Sequence, residues 1–253
     1  MNLSNEPFYH IGAGAGACLL IHGLGGGVYE LQTLGERLYQ QGWTVRGMNL
    51  PGHDRAAKRM PDSTWSQWVA CVQTEYQQLC RHHHRVAVVG FSNGGLLALY
   101  LASQVQNLYR LVLLAPFLGM SRWLYPLVDS IGYWIPSLPR WRLPIADPEM
   151  EAQARRVCFF RDFNLAAVRS AIELQRRVKR LLPQMTVPTL VVQSRQDRVV
   201  DPEAAWQGFQ ALGCTDKHFH WLTDCDHIIT LDRHREAVMQ LVSDFLAGTP
   251  LPD

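Results

Sequence analysis

Apolar and polar positions along this 253-residue chain alternate between two periods. Short apolar runs of strand length recur at 17–22 (ACLLIH), 44–49, 86–90 (VAVVG), 111–115 (LVLLA), 189–193 and 218–222. Between them lie helix-length segments at 30–41, 63–81, 94–103, 202–212 and 233–246, with Asp62 and Asp201 placed to cap two of them. A strand that is apolar at consecutive positions must be covered on both faces. The pattern therefore predicts an α/β fold, a mostly parallel, doubly wound sheet with helices on either side.

The alternation breaks between Pro116 and Pro188. Trp123, Tyr125, Tyr133, Trp134, Pro136, Pro139 and Trp141 crowd there, ahead of a long helical stretch from Leu165 to Leu182. About seventy residues is more than a crossover between parallel strands needs. Residues 116–186 are accordingly expected to form an inserted helical lid, with 1–115 and 187–253 forming the core.

Composition narrows the picture. With 47% hydrophobic and 18% charged residues, the chain is that of a folded protein with a sizeable core. A net charge of +2 gives no footprint for nucleic acid, and the run Arg81, His82, His83, His84, Arg85 reads as a solvated helix end. The six cysteines show no C-x-x-C pair and no zinc-like spacing, and Cys71 and Cys80 would point to opposite faces of a shared helix. Neither a disulfide framework nor a metal site is expected. The start MNLSNEPFYH has no basic-then-apolar leader pattern, and no run approaches the roughly 20 apolar residues that span a bilayer. The expectation is a cytoplasmic protein without integral membrane association.

The chemistry concentrates at strand ends. Gly90-Phe91-Ser92-Asn93-Gly94 is a G-x-S-x-G turn directly after an apolar strand and before an apolar helix. Glycines on both sides of a serine permit a turn tight enough to push its hydroxyl out at the carboxyl end of the strand. His22-Gly23-Leu24-Gly25-Gly26-Gly27 follows an earlier strand and offers exposed backbone N–H groups. Two such donors, assigned to Leu24 and Asn93, would hold the negative charge that builds on a carbonyl oxygen under attack. Phosphate cradling by the glycines is disfavoured, because neither G-x-x-x-x-G-K-[ST] nor G-x-G-x-x-G occurs.

A neutral serine needs a base, and the base needs an acid to orient it. His227, after the last strand, is preferred over His53, whose loop precedes the serine, and over His22, which more plausibly props its own turn. Asp197, after the strand at 189–193, is the acid of choice. Asp201 precedes Pro202 and suits a helix cap, Asp226 is adjacent to His227, and Asp224 stays open as an alternative.

Together, His22 to Gly27, Gly90 to Gly94, Asp197 and His227, with an insertion between strand and acid, resemble the bacterial carboxylesterase and monoacylglycerol lipase group of α/β-hydrolases. That resemblance spans nearly the whole chain. It implies an α/β-hydrolase fold, Ser92 as nucleophile, His227 as base, Asp197 as acid and Leu24 and Asn93 as oxyanion donors. It implies a serine esterase acting on a small-molecule ester without a cofactor, as a monomer or homodimer, with a lid suited to lipid aggregates. A thioesterase or carbon-carbon bond hydrolase could use the same residues, and a silent binding protein is the alternative from another class. Gly52-His53-Asp54 departs from the G-H-G turn of many relatives and puts an acid near the site's edge.

Overall fold

The apolar runs become strands because each can bury both of its faces. The computed structural model describes residues 3–14, 16–57, 59–120, 125, 128 and 135–251. Its strands are β1 (Phe8–His10), β2 (Gly16–Ile21), β3 (Thr44–Met48), β4 (Arg85–Phe91), β5 (Leu111–Leu114), β6 (Ser137–Pro139), β7 (Asp162–Asn164), β8 (Thr189–Ser194) and β9 (Lys217–Leu222). Seven form one sheet in the order β1-β3-β2-β4-β5-β8-β9, parallel except for the β1 edge. On β2, Ala17, Leu19 and Ile21 enter one core cluster while Cys18 and Leu20 enter the other; on β4, Val86 and Val88 oppose Ala87 and Val89 in the same way. This period-of-two division turns a continuous apolar run into two cores.

The helices are α1 (Gln32–Gln40), α2 (Trp65–Cys80), α3 (Asn93–Gln104), α4 (Pro148–Val157), α5 (Leu165–Leu181), α6 (Pro202–Ala211) and α7 (Arg235–Ala247). Those at α2, α3 and α5 pack on one face of the sheet and those at α1 and α7 on the other. Asp62 does not cap α2. Thr64, in an extended conformation, accepts from the Gln67 amide while the Gln67 side chain accepts from the Thr64 amide, and Asp62 instead accepts from the Asn164 side chain at 2.6 Å. Glu30 lies in a single 3-10 turn ahead of α1.

The segment expected as a lid divides in two. Helix α5 buries Ala167, Ala171, Leu174 and Val178 in the same core cluster as α2 and α3, so it belongs to the layer that carries the chain from β5 to β8. Before it, β6 and β7 pair as a small antiparallel ladder around α4. Strands β6 and β7, like β1, are too short for periodicity to reveal. Trp123, Tyr133 and Trp134 lie outside the described residues.

Sheet order determines where loops converge. The chain leaves β2 for β3 on one side and then returns to place β4 on the other, so the loops after β2 and β4 part at a switch point. Ile21 lies beside Gly90 in this register. The loops after β8 and β9 open on the same rim. No helix among the described residues is long and apolar enough to cross a membrane, and all six cysteines are free thiols.

Candidate active site

Ser92 sits at the turn from β4 into α3 with φ 53° and ψ −116°, a conformation that L-residues rarely adopt. The turn closes only because its flanks lack side chains. A Cβ on Gly90 would collide with the Gly94 carbonyl, and one on Gly94 would collide with the carbonyl of Ile21 on β2. The strain points the Ser92 hydroxyl over the rim, where it donates to His227 Nε2 at 2.9 Å.

The opposite ring nitrogen, His227 Nδ1, donates to Asp197 Oδ2 at 2.7 Å. An ionised carboxylate only accepts, so this bond places the imidazole proton on Nδ1 and leaves Nε2 to take the hydroxyl proton. Asp197 is itself fixed: Oδ1 accepts from the Val199 and Val200 amides at 2.8 and 2.9 Å, and Oδ2 from Gln193 Nε2 at 2.9 Å. Burial pushes its pKa up, but the charge and hydrogen bond of His227 and the two amides outweigh that and hold it below the usual carboxylate range. All three side chains are buried, and the His227 ring packs against Phe91.

Of the other candidate acids, Asp226 and Asp201 are engaged elsewhere. Asp226 accepts from Arg198 Nε at 2.8 Å and Nη2, and from the His227 amide. Asp201 caps α6 through the Glu203 amide, while Asp224 lies at φ 55° in the loop after β9. Asp54 is exposed and does not line the site.

The loop after β2 is built around its backbone N–H groups. Gly23 N–H donates to Glu30 Oε2 at 2.9 Å, and Gly25 N–H donates to His53 Nε2 at 2.9 Å. Leu24, between them, keeps its N–H without an acceptor among the described residues, as does Asn93 in the first turn of α3. His53 therefore serves as an acceptor for this loop. His22 Nε2 likewise accepts from the Leu50 amide at 3.0 Å, while its Nδ1 donates to the Gly23 carbonyl. Both rings are held neutral: burial lowers His22 to about 3 and His53 to about 4.

Three residues that shape the site carried no pattern in the sequence. Buried Glu30 holds the Gly23 and Gly27 amides, and burial raises it to about 7 despite those amides and the charges of Arg140 and His227. Arg140 reaches from the segment after β6 to donate to the Gly25 carbonyl at 2.7 Å. Asp232 accepts from the amides of Ala146, Asp147 and Asp226 and so ties that segment to the histidine loop. In the structure Gly26 makes room for Glu30, since any Cβ there would overlap its carboxylate.

Above Ser92 and His227 lies a cavity of about 510 Å³, lined mainly by apolar side chains including Phe117, Met120, Val168 and Ile228. Among the described residues no group of His, Cys, Asp or Glu could hold a metal ion.

A parallel sheet with a strained serine at one strand end, and a histidine and an aspartate brought over the same edge, is the architecture of an α/β-hydrolase. The chain belongs to the family described as serine aminopeptidase, S33, whose model matches residues 13–234. It is 27% identical over 242 residues to a thermostable monoacylglycerol lipase of Bacillus sp. (strain H-257), covering 96% of this chain and 94% of that one. It is 25% identical over 242 residues to a carboxylesterase of Bacillus subtilis (strain 168), covering 95% and 96%. A metagenome-derived lipolytic enzyme shares the fold with a TM-score of 0.84, 24% identity and coverage of 97% and 98%.

Proposed function

We propose that this protein is a carboxylic ester hydrolase acting on small-molecule esters of apolar acyl groups, with Ser92, His227 and Asp197 as its catalytic triad. The observation that carries the reading is the continuous relay from Ser92 Oγ through both His227 nitrogens to Asp197, opening into an apolar cavity. As the Ser92 oxygen attacks the ester carbonyl, His227 Nε2 takes its proton, and the Leu24 and Asn93 amides receive the oxyanion. Each such donor contributes about 3 kcal/mol to the transition state in comparable sites. The acyl-enzyme forms as His227 returns the proton to the leaving alcohol; the same nitrogen then deprotonates water, which releases the acid.

An aminopeptidase reading, which the family's description invites, needs a free carboxylate to receive a substrate ammonium. Of the acids that line the cavity among the described residues, Glu30 is held by backbone amides and Asp226 by Arg198, which favours esters. Thioesters and activated carbon-carbon bonds are compatible with the same relay. Of the stretch expected as a lid, the residues from 135 to 164 are proposed as the cover over the cavity, and the six free thiols fit a reducing, cytoplasmic setting.

The test is hydrolysis of p-nitrophenyl esters from short to long acyl chains. Activity is expected in the wild type and should fall by about four orders of magnitude or more in Ser92→Ala. A folded wild type that cleaves none of the series would overturn the esterase reading.

A further inference from the structure

The cavity has two chemically different sides. Phe117, whose amide donates to the Ser92 carbonyl at 3.1 Å, packs with Met120, Val128 and Val168 into an apolar cluster. The side beside His227 is cationic. Arg198 follows the Asp197 turn, and its backbone and guanidinium are both bound to Asp226, one residue before His227. Arg142 lies two residues before Pro144, whose carbonyl accepts from the Ile228 amide at 3.0 Å, one residue after His227. The chain segments bearing Arg142 and Arg198 thus bracket the histidine, and both arginines line the cavity.

These two guanidinium groups differ in how they are used. Asp226 balances Arg198 and fixes its direction, while the side chain of Arg198 stays 75% exposed. Arg142 is exposed and forms no hydrogen bond or ion pair among the described residues. It acts electrostatically on Glu151, whose carboxylate is already taken by Arg155 and the Leu143 amide. Arg140 adds a third positive charge to the lining, and the remaining acid of the lining among the described residues, Glu30, is buried against backbone amides. The cavity mouth next to His227 therefore carries unspent positive charge.

In acyl transfer the group that receives a proton from the histidine is the leaving alcohol, so the alcohol occupies the His227 side and the acyl chain the other. We propose that Arg142, with Arg198 behind it, selects esters whose alcohol carries an anionic group, a phosphate or a carboxylate, over neutral alcohols. The proposal rests on the triad reading above and adds the substrate's polar half. A planar guanidinium meets both oxyanions in bidentate fashion, and an exposed one is free to do so without first breaking an internal pair.

The experiment compares octanoylglycerol with octanoylglycerol phosphate, both kept below aggregation, at low and high salt, with the wild type, Arg142→Ala and Arg142→Glu. The two esters share one acyl chain and one reacting linkage and differ in a remote charge. The wild type should favour the phosphate ester in kcat/KM by about tenfold at low salt, chiefly through KM, and salt should erode the preference. Arg142→Ala should lose most of that preference and Arg142→Glu should reverse it. The same measurement on the octanoyl ester of glycerate reports whether a carboxylate is taken as readily as a phosphate. Equal rates for charged and neutral esters, or a preference that survives in Arg142→Glu, would overturn the proposal while leaving the esterase reading intact. If the folded wild type cleaves neither ester, the esterase reading fails and this one with it.

Discussion

The floor of the site and the segment from 135 to 164 that lines its cavity are built differently. On the floor, Ser92, His227, Asp197, His22, His53 and Glu30 are all nearly or fully buried, and a backbone amide or a neighbouring side chain holds each in position. The segment from 135 to 164 is anchored in the core by Leu143, Ile145, Met150 and Ala154, but it exposes Trp141 at 82% and Leu138 at 40%, and polar ties join it to the loops of the floor: Arg140 to Gly25, Ile228 to Pro144, and Asp232 to Ala146 and Asp147. Chemistry that depends on a fixed tautomer and preset N–H groups needs the first kind of construction. Fitting different substrates needs the second, where side chains change at little cost to the fold.

If the floor is as over-determined as its geometry implies, small changes there should have large effects. The largest expected effect is on turnover: Asp197→Asn keeps the shape of the site but lets His227 adopt the wrong tautomer, and kcat for a p-nitrophenyl ester should drop by about four orders of magnitude. Asp226→Asn, beside the histidine but outside the relay, should cost far less; equal losses would break the distinction between them. Gly94→Ala should be the most damaging to the fold, because its Cβ runs into the β2 backbone rather than a movable side chain. A loss of about 3 kcal/mol is expected in denaturant unfolding.

Acid stability sharpens the comparison, since three buried titratable groups sit under one loop. His22 and His53, lowered from 6.5 to about 3 and about 4, stay neutral in the folded protein while the unfolded chain takes up protons below 6.5. Their contribution is complete above pH 6.5 and is lost as pH falls through the folded values. Glu30, raised from 4.5 to about 7, acts in the opposite direction: its contribution is complete below 4.5 and is lost as pH rises through 7. Between pH 6.5 and 4.5 two groups favour unfolding on acidification and one opposes it. Glu30→Gln removes the opposing group and should roughly double the fall in stability per pH unit across that window. An unchanged slope, measured by thermal melts, would show that Glu30 does not hold its proton in the folded state. At the small end, Trp141→Ala, at an exposed position of the segment from 135 to 164, should alter stability by no more than about 0.5 kcal/mol.

Legibility in the sequence followed the same division. The strands at 16–21, 85–91 and 189–194 were visible because a strand buried on both faces must be apolar throughout, and the Gly90 to Gly94 turn because a close backbone approach admits only glycine. The cap of α2 was misplaced by two residues, since Asp62 and Thr64 both suit a cap by type and only the backbone conformation separates them. The long stretch after Pro116 was read as one lid because its helical period does not say what the apolar stripe of α5 packs against. Packing assigned that stripe to α2 and α3.

By itself the sequence determined the doubly wound architecture, the position of the serine turn and the loops in which a base and an acid should be sought. These are properties of local patterns, in which hydrophobic period and the absence of a Cβ act over a few neighbouring residues. Tertiary structure separated Asp197 from Asp224, the alternative the sequence left open, as the partner of His227, and it alone decided that His53 and Glu30 serve the backbone of the loop after β2. It likewise decided that Arg142 and Arg198 flank the histidine. Gly25 and His53, Asp197 and His227, and Ser92 and His227 stand 28, 30 and 135 positions apart, and their hydrogen bonds of 2.7 to 2.9 Å exist only once the sheet has placed their loops on one rim.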